Sequence, residues 1–148
     1  CAEAKAQDCV TTHGKKTEDH LVIGCDQVVE FKGQILRKVD SKAAAVERLI
    51  SFQSVTHQLV NGLVIIKNEE VIHKSTHRVE LKLLAMPREQ VVKYIDVENP
   101  LSSVACYYLE GQGIKLIERF QGDYFSALGL PVMTVSQLLL SRKHTLFA

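Results

Sequence analysis

The sequence predicts an α/β fold, a mixed β-sheet with flanking helices. Two observations carry that reading. Apolar, β-branched runs of strand length alternate with segments whose apolar residues repeat at helical spacing. Several of the runs are joined by short polar turns, which makes hairpins and argues against an all-parallel sheet. A third observation bounds the size: 148 residues, 46% hydrophobic and 24% charged, suit one domain (1–148) with a real core.

The elements follow in chain order. "CAEAKAQDCV" is rich in helix formers and reads as the tail of a helix, and "THGKKTEDH" as a polar loop. A strand starts at Leu21 and reaches Asp26; "QVVEF", the turn "KGQ" and "ILRKV" then form a hairpin. Asp40 or Ser41 caps the helix "SKAAAVERLISF", whose Ala45, Leu49 and Phe52 share one side. "HQLVNGLVIIK" is a long strand, and "NEE" turns it into "VIHKSTHRVELKLL", with Val79, Leu81 and Leu83 on one face. Pro87 opens the helix "REQVVKYID", which Asn99-Pro100 closes. "VACYYL" and "IKLIERF" read as strands separated by "EGQG". The loop "QGDYFSALGLP" and the helix "VMTVSQLLLSRK" end the chain.

Composition excludes some function classes. The net charge is +1 and the basic residues are spread, so a nucleic acid polymer is not an expected partner, whereas a small nucleotide is compatible. No apolar run reaches the roughly 20 residues that span a bilayer, and no signal-peptide pattern opens the chain, so no membrane partner is expected. Cys1, Cys9, Cys25 and Cys106 show neither CxxC nor zinc spacing; free thiols in the cytoplasm are the expectation.

The residue that demands explanation is Asp26, a carboxylate between Val22-Ile23 and Val28-Val29. Burying a carboxylate is costly unless it is paired, hydrogen-bonded or on a metal. Either the strand ends at Gly24 and Asp26 lies in a turn, or Asp26 is a strand-end carboxylate that holds a divalent cation or activates water. Lys38 follows a dozen residues later, where a hairpin could return it; the alternative is a solvated lysine, and Lys5 has the same two readings. In "EGQG", Glu110 could accept both N1–H and the exocyclic amine of guanine, or the segment is simply a tight turn. "GDYFSALGLP" could aim Asp123 and a helix N-terminus at a phosphate or metal, or be purely structural. His73 and His77 share a strand face, and surface histidines are the simpler reading; His57 suits packing or capping.

The order "IGCDQVV…G.IL.K", "H.LVNGLVI", "YI…NPL", "Y.LEGQGI.LIERF.GDY…GLP" resembles the Maf family of septum-formation Maf-like nucleotide pyrophosphatases, from about Lys5 to the last helix. The resemblance implies a fold similar to inosine-triphosphate pyrophosphatases, with two lobes around a cleft. It implies hydrolysis of a nucleoside triphosphate to the monophosphate and pyrophosphate, with a divalent metal (Mg or Mn) at Asp26. Asp26 aligns with the family's proton acceptor, and Lys5 and Lys38 align with its phosphate-contacting lysines. Members acting on dTTP and UTP usually carry Thr after the catalytic Asp and Gln in the glycine loop. Here Gln27 and Glu110 stand there, which resembles the branch acting on 7-methyl-GTP. The family also implies a homodimer. Departures are visible: the first strand, with its Ser-X-Ser-X-X-Arg phosphate loop, is missing from the match. Arg37-Lys38-Val39 replaces "GKP", Gln53-Ser54 replaces Ser-Gly, and Ala105, after Val104, replaces a glycine. Each swap adds bulk or changes backbone freedom. A catalytically silent nucleotide-binding protein is therefore the rival expectation.

Overall fold

The computed structural model of the chain describes residues 2–13 and 21–142. The remainder of the "THGKKTEDH" segment and Cys1 lie outside the described residues. The elements are α1 (Ala2–His13), β1 (Leu21–Phe31), β2 (Gln34–Ile35), α2 (Lys42–Phe52), β3 (Thr56–Lys67), β4 (Glu70–Leu83), α3 (Arg88–Glu98), β5 (Ile117–Gln121), α4 (Tyr124–Ala127) and α5 (Val132–Ser141). The strands form one sheet in the order β2-β1-β3-β4-β5. The β1–β2 and β4–β5 ladders are antiparallel, and one parallel bridge joins Gln53 to Leu83. The fold is α/β with helices flanking the sheet, as the sequence predicts.

Contacts divide the chain into two compact units. The first holds Cys1–Gln27, Asn61–His77 and Asp123–Ala148; the second holds Val28–Val60 and Arg78–Gly122. The strands β1, β3 and β4 run through both.

In the first unit α1 lies on the sheet. Ala2, Ala6 and Val10, spaced four apart, pack on Val64 and Ile66, with Val22 against them. Small residues let the helix come close. A Cβ at Gly24 would stand 2.4 Å from the Ala2 carbonyl oxygen and 2.6 Å from the Ala6 Cβ, so only glycine fits. An ion pair of 2.6 Å between Lys74 and Glu3 ties α1 to β4.

In the second unit α2 packs on α3. Ala45, Leu49 and Phe52 are buried, as the spacing predicts, with Val79, Leu81 and Leu83 of β4 buried too. Each such large apolar side chain stabilises the fold by roughly 1.5–3 kcal/mol. Of the two predicted caps for α2, Ser41 takes the position, its hydroxyl accepting from the Ala44 amide at 3.3 Å. Asn99 ends α3 in the left-handed conformation.

Four expectations are corrected. The strand from Leu21 stops at neither Gly24 nor Asp26 but continues to Phe31, so Asp26 is an interior strand residue. Gly24 is selected by the approach of α1, which leaves the ladder free to continue. The hairpin after it is shorter than predicted: Lys32 and Gly33, both with positive φ, make the turn, and β2 ends at Ile35. "VACYYL" is not a strand, because Cys106 adopts φ 61° and its amide bonds the Ser103 carbonyl. Within "IKLIERF" only Ile117–Gln121 is strand; Gln112–Leu116 is a 3₁₀ turn.

Candidate active site

The pleat sends successive strand residues to opposite faces. On β1 this puts Val22, Gly24 and Asp26 on the face covered by α1, and Cys25 and Gln27 on the other. Lys5 projects from α1, and its ammonium contacts the Asp26 Oδ1 directly. The side chain of Asp26 is 28% exposed and that of Lys5 61%. The carboxylate thus sits inside a strand, paired and still open to water. A pair this exposed adds at most about 1 kcal/mol to stability. Its cost and its benefit to the fold are both small, so stability does not explain why an acid occupies this position.

The opposite face of β1 is tied to the segment Asp123–Pro131. The Gln27 amide nitrogen donates to the Ser126 and Ala127 carbonyls, each at 3.1 Å, and lies 3.2 Å from the Asn61 Oδ1. Asn61, wholly buried, donates to the Ser126 carbonyl at 2.6 Å. The Cys25 thiol meets the Gly129 carbonyl at 2.9 Å. Burial pushes the Cys25 thiol pKa up, despite the nearby Lys5 ammonium, so this cysteine is held as a neutral thiol. The Asp123 carboxylate accepts from the Ser126 hydroxyl at 2.6 Å and from its amide at 2.7 Å, capping α4. These bonds hold the Asp123 carboxyl below the usual carboxylate range. Asp123 thus serves as the cap of α4.

In the second unit, Lys38 is exposed on the irregular stretch between β2 and α2. Glu110 is exposed in a turn closed by the Gly111 amide on the Tyr108 carbonyl at 3.2 Å. The Tyr94 hydroxyl accepts from the Tyr108 amide at 3.1 Å and so fixes the start of that turn. A Cβ at Gly111 would stand 2.4 Å from the Glu98 Oε2, so the flexible Glu98 side chain lies against the backbone beside Glu110. Tyr107 points into the core. Its hydroxyl lies 2.8 Å from the His57 Nε2, and His57 stacks on Phe52 with ring centroids 4.2 Å apart. Burial lowers the His57 pKa to about 4 and raises that of Tyr107.

The structure thus brings Lys5 and Asp26 into contact. It turns the Gln27 amide onto internal acceptors, and it exposes Lys38 and Glu110 on the second unit. Sequence reasoning missed Asn61, Ser126 and Arg48. Asn61 carried a signal, a lone amide in the apolar run "LVNGLVII". Arg48, which binds two backbone carbonyls, carried none.

A divalent cation finds little ready-made here. Among the described residues no group of three His, Cys, Asp or Glu could hold a metal ion. His73 and His77 are instead joined through the Ser75 hydroxyl, 2.9 Å from each Nε2. Asp26 offers one carboxylate. That donor set suits a Mg²⁺-type ion, which keeps waters and takes its other ligands from substrate phosphates.

Comparison with known proteins places this arrangement. The family model described as "Maf-like protein" matches residues 1–142. The 7-methyl-GTP pyrophosphatase of Bartonella quintana (strain Toulouse) is 33% identical over 145 residues, 97% of this chain and 70% of the relative. The 7-methyl-GTP pyrophosphatase of Rhizobium meliloti (strain 1021) is 34% identical over 134 residues, 89% of this chain and 65% of the relative. A dTTP/UTP pyrophosphatase of Bacillus cereus (strain Q1) is 32% identical over 114 residues, 77% of this chain and 59% of the relative. The chain therefore spans about two thirds of the length of these relatives. The family match runs from the first residue through α5 and includes both the Lys5–Asp26 pair and the Glu110 turn, so the chain belongs to the Maf-like protein family.

Proposed function

We propose that this chain carries the active site of a nucleoside triphosphate pyrophosphatase acting on a modified nucleotide, 7-methyl-GTP, to give the monophosphate and pyrophosphate. The observation that carries the reading is the partly exposed Asp26 carboxylate held in a strand against the Lys5 ammonium. Asp26 accepts a proton from water as the water oxygen bonds to phosphorus and the bridging oxygen leaves with pyrophosphate. Before substrate arrives, Lys5 neutralises Asp26. A triphosphate offers that ammonium a more highly charged partner and frees the carboxylate to act as base. Lys38, exposed and basic, serves a second phosphate contact. Glu110 accepts the paired donors of guanine, and its charge favours a base made cationic by N7 methylation. Gln27 acts through the segment it holds, fixing Ser126 and Ala127 behind β1. A divalent cation, Mg²⁺ or Mn²⁺, carried in on the phosphates beside Asp26, would offset their charge.

A second reading, a dTTP/UTP pyrophosphatase, is supported by relatives that bear that name. The Gln27 amide nitrogen is bonded internally, so the choice between the two readings rests on Glu110. Cytoplasmic placement and a homodimer belong to the same proposal. Among the described residues Cys9, Cys25 and Cys106 are free thiols, and no helix is long and apolar enough to cross a membrane. Pyrophosphate release from 7-methyl-GTP, GTP, dTTP, UTP and CTP, with Mg²⁺ or Mn²⁺, tests the proposal. Selective release from 7-methyl-GTP supports it. Release from pyrimidine nucleotides alone favours the second reading, and no release from any counts against both.

A further inference from the structure

We propose that Arg48 is a positioning residue that sets the Lys38 stretch and the Glu110 loop together. This rests on the reading of Lys38 and Glu110 as nucleotide contacts. Arg48 projects from α2, and a single terminal nitrogen, Nη1, donates to two carbonyls: that of Arg37, and that of Val104 at 2.7 Å. Arg37 directly precedes Lys38. Val104 opens the irregular segment that leads to Glu110.

Neither segment has a strand ladder to hold it. The stretch from Leu36 to Val39 keeps one bond to the sheet, the Leu36 amide on the Val29 carbonyl at 2.9 Å. The segment after Val104 turns through the left-handed Cys106 and is held by the Tyr107 and Tyr108 contacts with His57 and Tyr94. A charge-assisted donor shared between two carbonyls is a stronger anchor than either of the neutral bonds near it. It also links the segments, so a shift of one is felt by the other. The Cys106 thiol, its pKa pushed up by burial, lies against the same guanidinium.

The experiment compares the protein with Arg48→Met and Arg48→Lys, using hydrogen exchange resolved by peptide together with steady-state kinetics on 7-methyl-GTP and UTP. In Arg48→Met, exchange should rise in both segments, 36–39 and 104–111, and stay unchanged in α3 and β4. KM for 7-methyl-GTP should rise about tenfold while kcat changes less than about threefold, and preference over UTP should narrow. Arg48→Lys, with its charge kept, should recover part of the KM loss. A rise in one segment only, in neither, or across α2 and α3 alike would overturn the proposal. An unchanged KM in a protein that turns over would overturn the link to nucleotide binding. If the unsubstituted protein releases no pyrophosphate, the function proposed above fails, and the exchange data alone decide whether Arg48 couples the two segments.

Discussion

Lowering the pH should destabilise this protein through one buried side chain, His57. It is 1% exposed, its Nε2 lies 2.8 Å from the Tyr107 hydroxyl, and its Nδ1 has no hydrogen-bond partner. Protonation would place a charge with an unsatisfied donor against the Phe52 ring. Burial accordingly lowers its pKa from 6.5 to about 4. The folded value lies below the unfolded one, so the unfolded chain binds this proton first as pH falls. The stability is present above pH 6.5 and is lost progressively between there and about 4. At about 1.4 kcal/mol per unit, the full effect is about 3 kcal/mol, of which about 2 kcal/mol falls between pH 7 and pH 5. Urea unfolding at those two pH values, in the protein and in His57→Gln, isolates the effect from the other titrating groups. Glutamine retains a polar group near Tyr107 but does not titrate. The variant should be less stable at pH 7, and its loss on going to pH 5 should be smaller by about 2 kcal/mol. Equal pH dependence in the two proteins would refute the reasoning.

Three further outcomes follow from the packing and the site. Gly24→Ala drives a Cβ into Ala2 and Ala6, and should cost about 1–3 kcal/mol in urea unfolding as α1 is pushed off β1. Gln27→Thr removes the donor to Ser126 and Ala127, so it should lower stability by about 1–3 kcal/mol besides any change in substrate preference; thermal unfolding reads the loss. Glu110→Gln should cut kcat/KM for 7-methyl-GTP by about tenfold or more, with a smaller effect on UTP, in a side-by-side pyrophosphate-release assay.

Periodicity was a good guide where a segment answers to one packed face. The strands β3 and β4, the helices α2 and α3 and the Ser41 and Asn99 caps follow from local pattern, and burial of Val79, Leu81 and Leu83 matches the alternation. It misled where side chains from elsewhere replace the ladder. Tyr107 and Leu109 alternate like strand residues, yet both are buried in an irregular segment whose polar groups bond Tyr94 and His57. At the site, the importance of Asp26 was legible because a carboxylate in an apolar run needs a partner. The partner was not legible from spacing: Lys5 is 21 residues away and reaches Asp26 only because Ala2, Ala6 and Gly24 let the helix settle on the strand. Lys5 stood in the sequence as a lysine with two readings, and the family resemblance gave it a phosphate contact; neither paired it with Asp26. The bonds of Gln27 to a segment about 100 residues away were equally invisible, since they depend on which face of β1 the pleat presents.

The most direct test of the account is Asp26→Asn. The exposed pair with Lys5 contributes little to stability, so the variant should fold with nearly unchanged thermal unfolding. Nucleotide binding, followed by calorimetry with 7-methyl-GTP, should persist, while pyrophosphate release should fall by at least about 100-fold, the scale of a lost general base. Turnover by a folded Asp26→Asn protein at the rate of the unsubstituted chain would contradict the central claim that this strand carboxylate takes the proton from water.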